Sequence, residues 1–236
     1  MFIFRQTYIF LYHVIDKFFH QKRISNYLKK NLEIKIFFDV GCHLGDYSDM
    51  VINNYPEASI FMFEPQKKIF DKIKYKYEKN PNIKVSNLAV SNKKSFQNLY
   101  INKFDVASTL SKINLQDDLL KKRASIFGEE PSKMIDEIQN IETIKLDEFI
   151  KDKDIKKIDL IKIDTEGHEY EVLDGLKENI NKVSYVLIEF QSNKIFNSYD
   201  PKKIDDFLKK NNFKKVKSFK FPLRPWEDRL YKKYEF

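Results

Sequence analysis

The densest group of chemically useful side chains in this chain is Lys162, Asp164, Glu166, His168 and Glu169, written KIDTEGHE. It closes the branched apolar run Ile158 to Ile163, which predicts a strand. Alternation places Lys162 and Asp164 on one side of that strand, opposite Ile161 and Ile163. A charge pair inside a sheet is costly unless something polar requires it. Carboxylates and imidazoles are the groups that take or give a proton during catalysis. Asp164, Glu166 and His168 are therefore the candidate catalytic residues, Asp164 foremost, with His43 a secondary choice. Two other readings use the same side chains. Asp164, Glu166 and Glu189 are hard oxygen donors that would suit a divalent cation, although this is not the favoured reading. Alternatively, Lys162 and Asp164 simply neutralise each other and Glu166 caps the following helix.

A second constellation lies far upstream. Ile34 to Val40 is short, branched and aromatic, and Gly41 and Gly45 follow at once in FDVGCHLG. Glycines at that spacing let the backbone approach a ligand and let the next helix start close to the strand. A dinucleotide site usually adds a third glycine and binds pyrophosphate at the helix N-terminus. Here that glycine is missing and Asp46 opens the helix, which suits an ammonium group better than a phosphate. Glu64 ends the next predicted strand about twenty residues after the glycine turn, where an acid can accept both hydroxyls of an adenosine ribose. It would otherwise be a helix-capping acid. The third strand ends in Ala89, Val90, Ser91 and Asn92, small enough to border an adenine ring. Gly41, His43, Gly45, Glu64, Ala89 and Val90 are thus the candidate cofactor-binding residues, to which a family resemblance adds Asp39 and Asp164.

These groups must be carried by an alternating fold. The pattern predicts strands over residues 34–40, 59–63, 83–90, 158–163, 183–190 and 213–219, with helices over 46–55, 66–79, 146–151, 168–179 and 201–211. Arg229 to Tyr234 reads as a last strand pairing antiparallel at an edge. Strand–helix alternation predicts a mostly parallel α/β sheet with helices on both faces and ligands at the carboxyl ends of its strands. The alternation lapses over about residues 92–143, which read as an insertion with a short antiparallel element and one or two helices. The expected layout is an amphipathic helical extension over residues 1–33 and one domain over 34–236.

Composition limits the functional classes. The net charge of +8 reflects 43 basic against 35 acidic residues, but the lysines are dispersed and no zinc-finger spacing or arginine tract appears, so no nucleic-acid partner is expected. A single cysteine, Cys42, excludes an internal disulfide and fits a reducing, cytoplasmic setting. In the N-terminal segment the longest uncharged stretch, Gln6 to Ile15, is about half of the ~20 residues a bilayer span needs. That segment reads as an amphipathic helix packing on its own domain, with peripheral membrane contact as the alternative. Nothing in the sequence reports the oligomeric state.

The ordered segments FDVGCHLGDYS, FMFEPQKKIF, NLAVSN, TIKLDEFI and IDLIKIDTEGHEYEVLDGL resemble the FkbM family of methyltransferases over residues 36–190. The resemblance implies a Rossmann-like seven-stranded methyltransferase sheet, S-adenosylmethionine as cofactor, and O-methylation of a hydroxyl on a sugar, glycan or natural product. By position it places Asp39, Gly41 and Gly45 in the cofactor loop, Glu64 at the ribose, and Asp164, Glu166 and Gly167 in a late acidic motif. Gln66 departs from the asparagine that often follows FEP in this family. Two rivals remain from the residues alone: a nucleotide-dependent Rossmann enzyme using NAD or a nucleotide sugar, and a non-catalytic, membrane-peripheral binding domain.

Overall fold

The computed structural model describes residues 14–102, 108–192, 194–222 and 226–234. In chain order its strands are β1 (Ile36–Val40), β2 (Ser59–Phe63), β3 (Ile83–Ser86), β4 (Ala89–Val90), β5 (Ser95–Asn102), β6 (Ile135–Ile144), β7 (Ile158–Ile163), β8 (Val183–Gln191), β9 (Phe213–Lys220) and β10 (Trp226–Lys233). Seven of them form one sheet in the order β3-β2-β1-β7-β8-β10-β9. From β3 to β8 every neighbouring pair is parallel, as right-handed helical crossovers require. The antiparallel strand expected at the edge is β10. It sits next to last, hydrogen-bonded to β8 on one side and β9 on the other, because the short connection after β9 returns the chain into the gap beside β8.

Helices cover both faces. A π-helical stretch, Asp16–Gln21, runs into α1 (Lys22–Asn31), and α2 (Asp46–Asn54) and α3 (Lys67–Tyr77) lie on the same side. There Ile24, Leu28, Val51 and Ile73 pack against Phe37, Ile60, Leu160, Leu187 and Leu230. The insertion carries α4 (Asp118–Phe127). On the opposite face α5 (Leu146–Asp152), α6 (Glu169–Asp174) and α7 (Pro201–Lys210) bury Leu146, Ile150, Val172, Leu173, Ile204 and Leu208 against Phe38, Ile161, Ile163 and Ile188. The central strands β1, β2, β7 and β8 therefore have apolar residues on both faces, which explains their continuous rather than alternating hydrophobicity. The amphipathic segment from Lys22 packs its apolar face on the sheet through Ile24 and Leu28. Residues 1–13 of the expected extension lie outside the described residues. Among the described residues no helix is long and apolar enough to cross a membrane.

Three expectations need correction. The strand expected over 83–90 is two strands in two sheets. Asn87 Nδ2 donates to the carbonyls of Glu64 and Pro65 (2.9 Å each), bending the chain so that β4 leaves β3 and pairs with β6. The insertion contains a ten-residue strand, β6, pairing antiparallel with β5 to complete a separate three-stranded sheet, and α4 lies between the two strands in the chain. Finally, the helix expected over 168–179 ends at Asp174. The Asp147 carboxylate captures the backbone amides of Glu178 and Asn179 (3.1 and 2.9 Å), drawing them out of the helical pattern.

Candidate active site

The strand order reverses between β1 and β7: the chain proceeds outward to β2 and β3 on one side, then to β8 on the other. A cleft opens at the carboxyl ends around that switch point, where ligands of open α/β sheets bind. Its wall includes Gly41, His43, Glu64, Ala89, Val90, Asp164, Glu166 and His168. Two expected cofactor residues stand outside it. Asp39 is buried beneath the loop, its Oδ2 accepting from Ser48 Oγ at 2.6 Å. Gly45 turns into α2 against Tyr77 and Met62.

The glycine loop is fastened from below. The amides of Gly41 and Cys42 both donate to the Phe63 carbonyl at the end of β2 (3.1 and 3.2 Å). Gly41 has φ +77°, and a Cβ on it would lie 1.9 Å from the Asp164 carbonyl oxygen. Only glycine lets the ends of β1 and β7 approach in this way.

On the far side of the loop, Glu64 is almost fully buried and accepts from the amides of His43 (Oε2, 2.9 Å) and Gln66 (Oε1, 2.8 Å). Burial pushes its pKa up to about 7, the two amides opposing and the charge of Asp39 adding. Each carboxylate oxygen keeps a further lone pair that can accept a ligand hydroxyl. Next to it the wall becomes apolar at Pro65, Leu88, Ala89, Val90 and Leu99, a surface of the kind an adenine ring would cover.

The opposite side is acidic. Lys162 is fully buried, and its Nζ lies 3.2 Å from Asp164 Oδ2, 2.6 Å from Asp228 Oδ1 and 4.7 Å from the centre of the Tyr47 ring. Burial opposes its charge, but the Asp164 and Asp228 carboxylates outweigh that and raise its pKa. Asp228 also accepts from His20 Nε2 (2.7 Å) and Tyr47 Oη (2.8 Å). Burial alone would raise the Asp228 pKa, yet Lys162 and His20 hold it well below the usual carboxylate range. The sequence supplied the Lys162–Asp164 half of this group and missed Asp228, Tyr47 and His20.

Glu166 sits at φ +52° in the turn after β7. The Gln191 amide donates both to Glu166 Oε2 (3.0 Å) and to Glu189 Oε1 (2.8 Å). Burial, followed by the neighbouring charge of Asp164, raises the proton affinity of both glutamates. The insertion ties this turn down: Thr109 Oγ1 donates to the Glu166 carbonyl (2.5 Å) and Ser111 Oγ to that of Gly167 (2.7 Å). His168 Nε2 is 2.9 Å from Ser91 Oγ, and burial lowers its pKa to about 4. Its imidazole is therefore neutral at neutral pH and engaged with a neighbour. Among the described residues no group of three or more His, Cys, Asp or Glu side chains is arranged to hold a metal ion. The N-terminal segment adds wall residues that the sequence did not suggest, Asp16 and Gln21, next to Trp226.

A Rossmann-like sheet of this order, with a glycine loop and acids at its switch point, is the architecture of methyltransferases. The chain belongs to the FkbM family: the Methyltransferase FkbM domain matches residues 39–215. Among curated proteins it is 22% identical over 181 residues to the hexuronic acid methyltransferase AglP of Haloferax volcanii, covering 77% of this chain and 64% of that protein. It is 21% identical over 174 residues to the 2-O-methyltransferase NoeI of Sinorhizobium fredii, covering 70% and 67%. The match thus spans about two thirds of the length of these relatives. Among solved structures, M. capricolum TrmK, determined in complex with S-adenosyl-homocysteine, aligns with a TM-score of 0.50 at 13% identity, covering 90% of this chain and 68% of that one. A putative rRNA-methylase from Clostridium thermocellum aligns with a TM-score of 0.51 at 10% identity, covering 92% and 96%. At such identities the two structures speak for the fold alone.

Proposed function

We propose that this protein transfers a methyl group from S-adenosylmethionine to a hydroxyl of a sugar, glycan or natural product. The observation that carries the reading is the convergence of Glu64 and Asp164 on one cleft from opposite sides of the glycine loop. The donor set suits that cofactor. Glu64 offers acceptor oxygens for two ribose hydroxyls, the Leu88–Val90 wall offers an apolar surface for adenine, and Asp46 at the start of α2 offers a carboxylate for an ammonium group. Asp46 also lines the place where a dinucleotide pyrophosphate would sit, which disfavours the NAD reading. The names of the two curated relatives, one acting on a hexuronic acid and one a 2-O-methyltransferase, support a sugar hydroxyl as acceptor.

When bound, S-adenosylmethionine supplies an electrophilic methyl carbon, so the protein has mainly to align the acceptor oxygen, exclude water and receive a proton. Asp164, fixed by Lys162, orients the acceptor hydroxyl. Glu166, whose proton affinity is raised by burial and by Asp164, takes the proton as the oxygen is methylated, since a base works best when its pKa is near the working pH. Gln191 holds Glu166 in place, and His168 braces the turn through Ser91.

The test supplies methyl-labelled S-adenosylmethionine with neutral and uronic-acid sugars to the wild type, Asp164→Asn and Glu166→Gln. Label is expected in a methyl ether formed at a hydroxyl of the acceptor. Each variant should lower kcat by about 100-fold or more while cofactor affinity stays within about threefold. Near-normal turnover in both variants would remove these acids from the reaction.

A further inference from the structure

The N-terminal helix has a face that the cleft and the core do not use. Its inner side carries Asp16 and Gln21 in the cleft wall and Ile24 and Leu28 in the core. On the outside, Phe18 and Phe19 are 61% and 60% exposed. The same outer side shows Lys17, Lys22, Arg23, Lys29 and Lys30, all exposed. The single acid between residues 14 and 31, Asp16, faces the cleft instead, so no carboxylate of the helix opposes these cations. The basic surface continues onto the sheet: Arg23 Nη1 donates to the Lys220 carbonyl on edge strand β9 (3.2 Å), and Lys217 Nζ lies 5.7 Å from the Tyr27 ring centre. Lysines alone would be an ordinary solvated face and edge-strand protection. Two adjacent exposed phenyl rings among them are not explained by solvation.

We propose that this face docks the protein on an anionic bilayer surface, with Phe18 and Phe19 entering the headgroup boundary and the surrounding cations meeting the lipid phosphates. Aromatic side chains framed by Lys and Arg on one helical face are the chemistry that such a surface selects. A nucleic-acid partner would use the cations but has no need for two apolar rings in water. Because the docking face and the Asp16–Gln21 wall are two sides of one helical turn, the docked cleft lies within about 10 Å, one helix diameter, of the headgroups. The inference is independent of the reaction assigned to the cleft.

Vesicle sedimentation with the full chain tests it. Vesicles containing phosphatidylglycerol should retain the protein and pure phosphatidylcholine vesicles should not, with retention falling as salt is raised. Phe18→Ser/Phe19→Ser should weaken the partition about tenfold or more, and Lys22→Glu/Lys29→Glu should abolish it. Both pairs are exposed, and unchanged thermal unfolding confirms that the fold is intact. Equal retention by both vesicle types, no retention by either, or an unaltered partition in the phenylalanine variant overturns the proposal. So does tighter binding to an RNA homopolymer that is indifferent to the phenylalanines.

Discussion

Replacing Asp228 by Asn puts the buried charge network to the test. Asp228 and Lys162 are both fully buried, and the aspartate accepts from Lys162 Nζ (2.6 Å), His20 Nε2 (2.7 Å) and Tyr47 Oη (2.8 Å). Asparagine keeps the shape but removes the charge and turns an NH2 group toward donors. Among the described residues Lys162 then keeps one close ion pair, with Asp164 at 3.2 Å, and the more remote charge of Glu189. Removing one partner of a buried pair costs about 3–5 kcal/mol, since the other charge stays desolvated. In a protein whose total stability is about 5–15 kcal/mol, that is a large fraction. At about 2–4 °C per kcal/mol for a chain of this size, the melting temperature should fall by about 6–20 °C. Urea unfolding can be followed by the fluorescence of the single tryptophan, Trp226, which packs against His20 at 4.9 Å between ring centres. Adding Lys162→Met to the variant removes the stranded charge and should recover about 2 kcal/mol. The network also has a pH signature. A carboxyl whose folded pKa is depressed stabilises above its unfolded value near 4 and loses that contribution as the pH falls. The wild type should therefore show an acid limb that Asp228→Asn has lost in part. A loss below about 1 kcal/mol, the size expected of an exposed pair, or a double variant no more stable than the single one, would show that Lys162 is not stranded as a desolvated charge.

Four further outcomes follow from the cleft and the buried acids around it. Glu64→Gln should weaken S-adenosylmethionine binding about tenfold or more, the scale of a charged hydrogen bond. Wild-type binding should tighten as the pH rises through about 7, because hydroxyl donors favour the ionised Glu64; a pH-independent affinity in calorimetry would contradict this. Gly41→Ala combines a strained φ of +77° with a Cβ 1.9 Å from the Asp164 carbonyl, so circular dichroism melts should show destabilisation of at least about 2 kcal/mol. Burial raises the carboxyl pKa values of Asp39 and Glu64 to about 7 and of Glu169 to about 8. The folded chain then binds protons that the unfolded one has released, so stability should fall as the pH rises from about 6.5 to about 8.5. His168, depressed to about 4, works in the opposite direction only below its unfolded value of about 6.5. Flat stability across the upper window would show these acids to be better solvated than the fold implies.

The parts of the cleft legible in the sequence were those set by short-range patterns. β1 running into Gly41, β2 ending at Glu64 and β7 ending in the acidic turn each show their chemistry within a few residues of an apolar run. The long-range parts were not legible. His20 meets Asp228 across 208 positions of chain, and no local pattern marks either residue as a partner of Lys162. Strand β6 was missed because its solvent-facing positions, among them Asp136, Glu142 and the exposed Ile138, blur the two-residue period by which a strand is recognised. The break between β3 and β4 depends on the Asn87 side chain reaching carbonyls more than twenty positions away. Asp16 and Gln21 became cleft residues only through the docking of α1 on the sheet.

In the proposed function the cleft at the β1–β7 switch point holds S-adenosylmethionine with its ribose on Glu64. A crystal structure of the wild type with S-adenosylhomocysteine tests it most directly. Both ribose hydroxyls are expected within hydrogen-bonding distance of the Glu64 carboxylate, with the adenine against Leu88, Ala89 and Val90. A ligand bound elsewhere, a ribose turned away from Glu64, or an empty cleft at saturating ligand would contradict it.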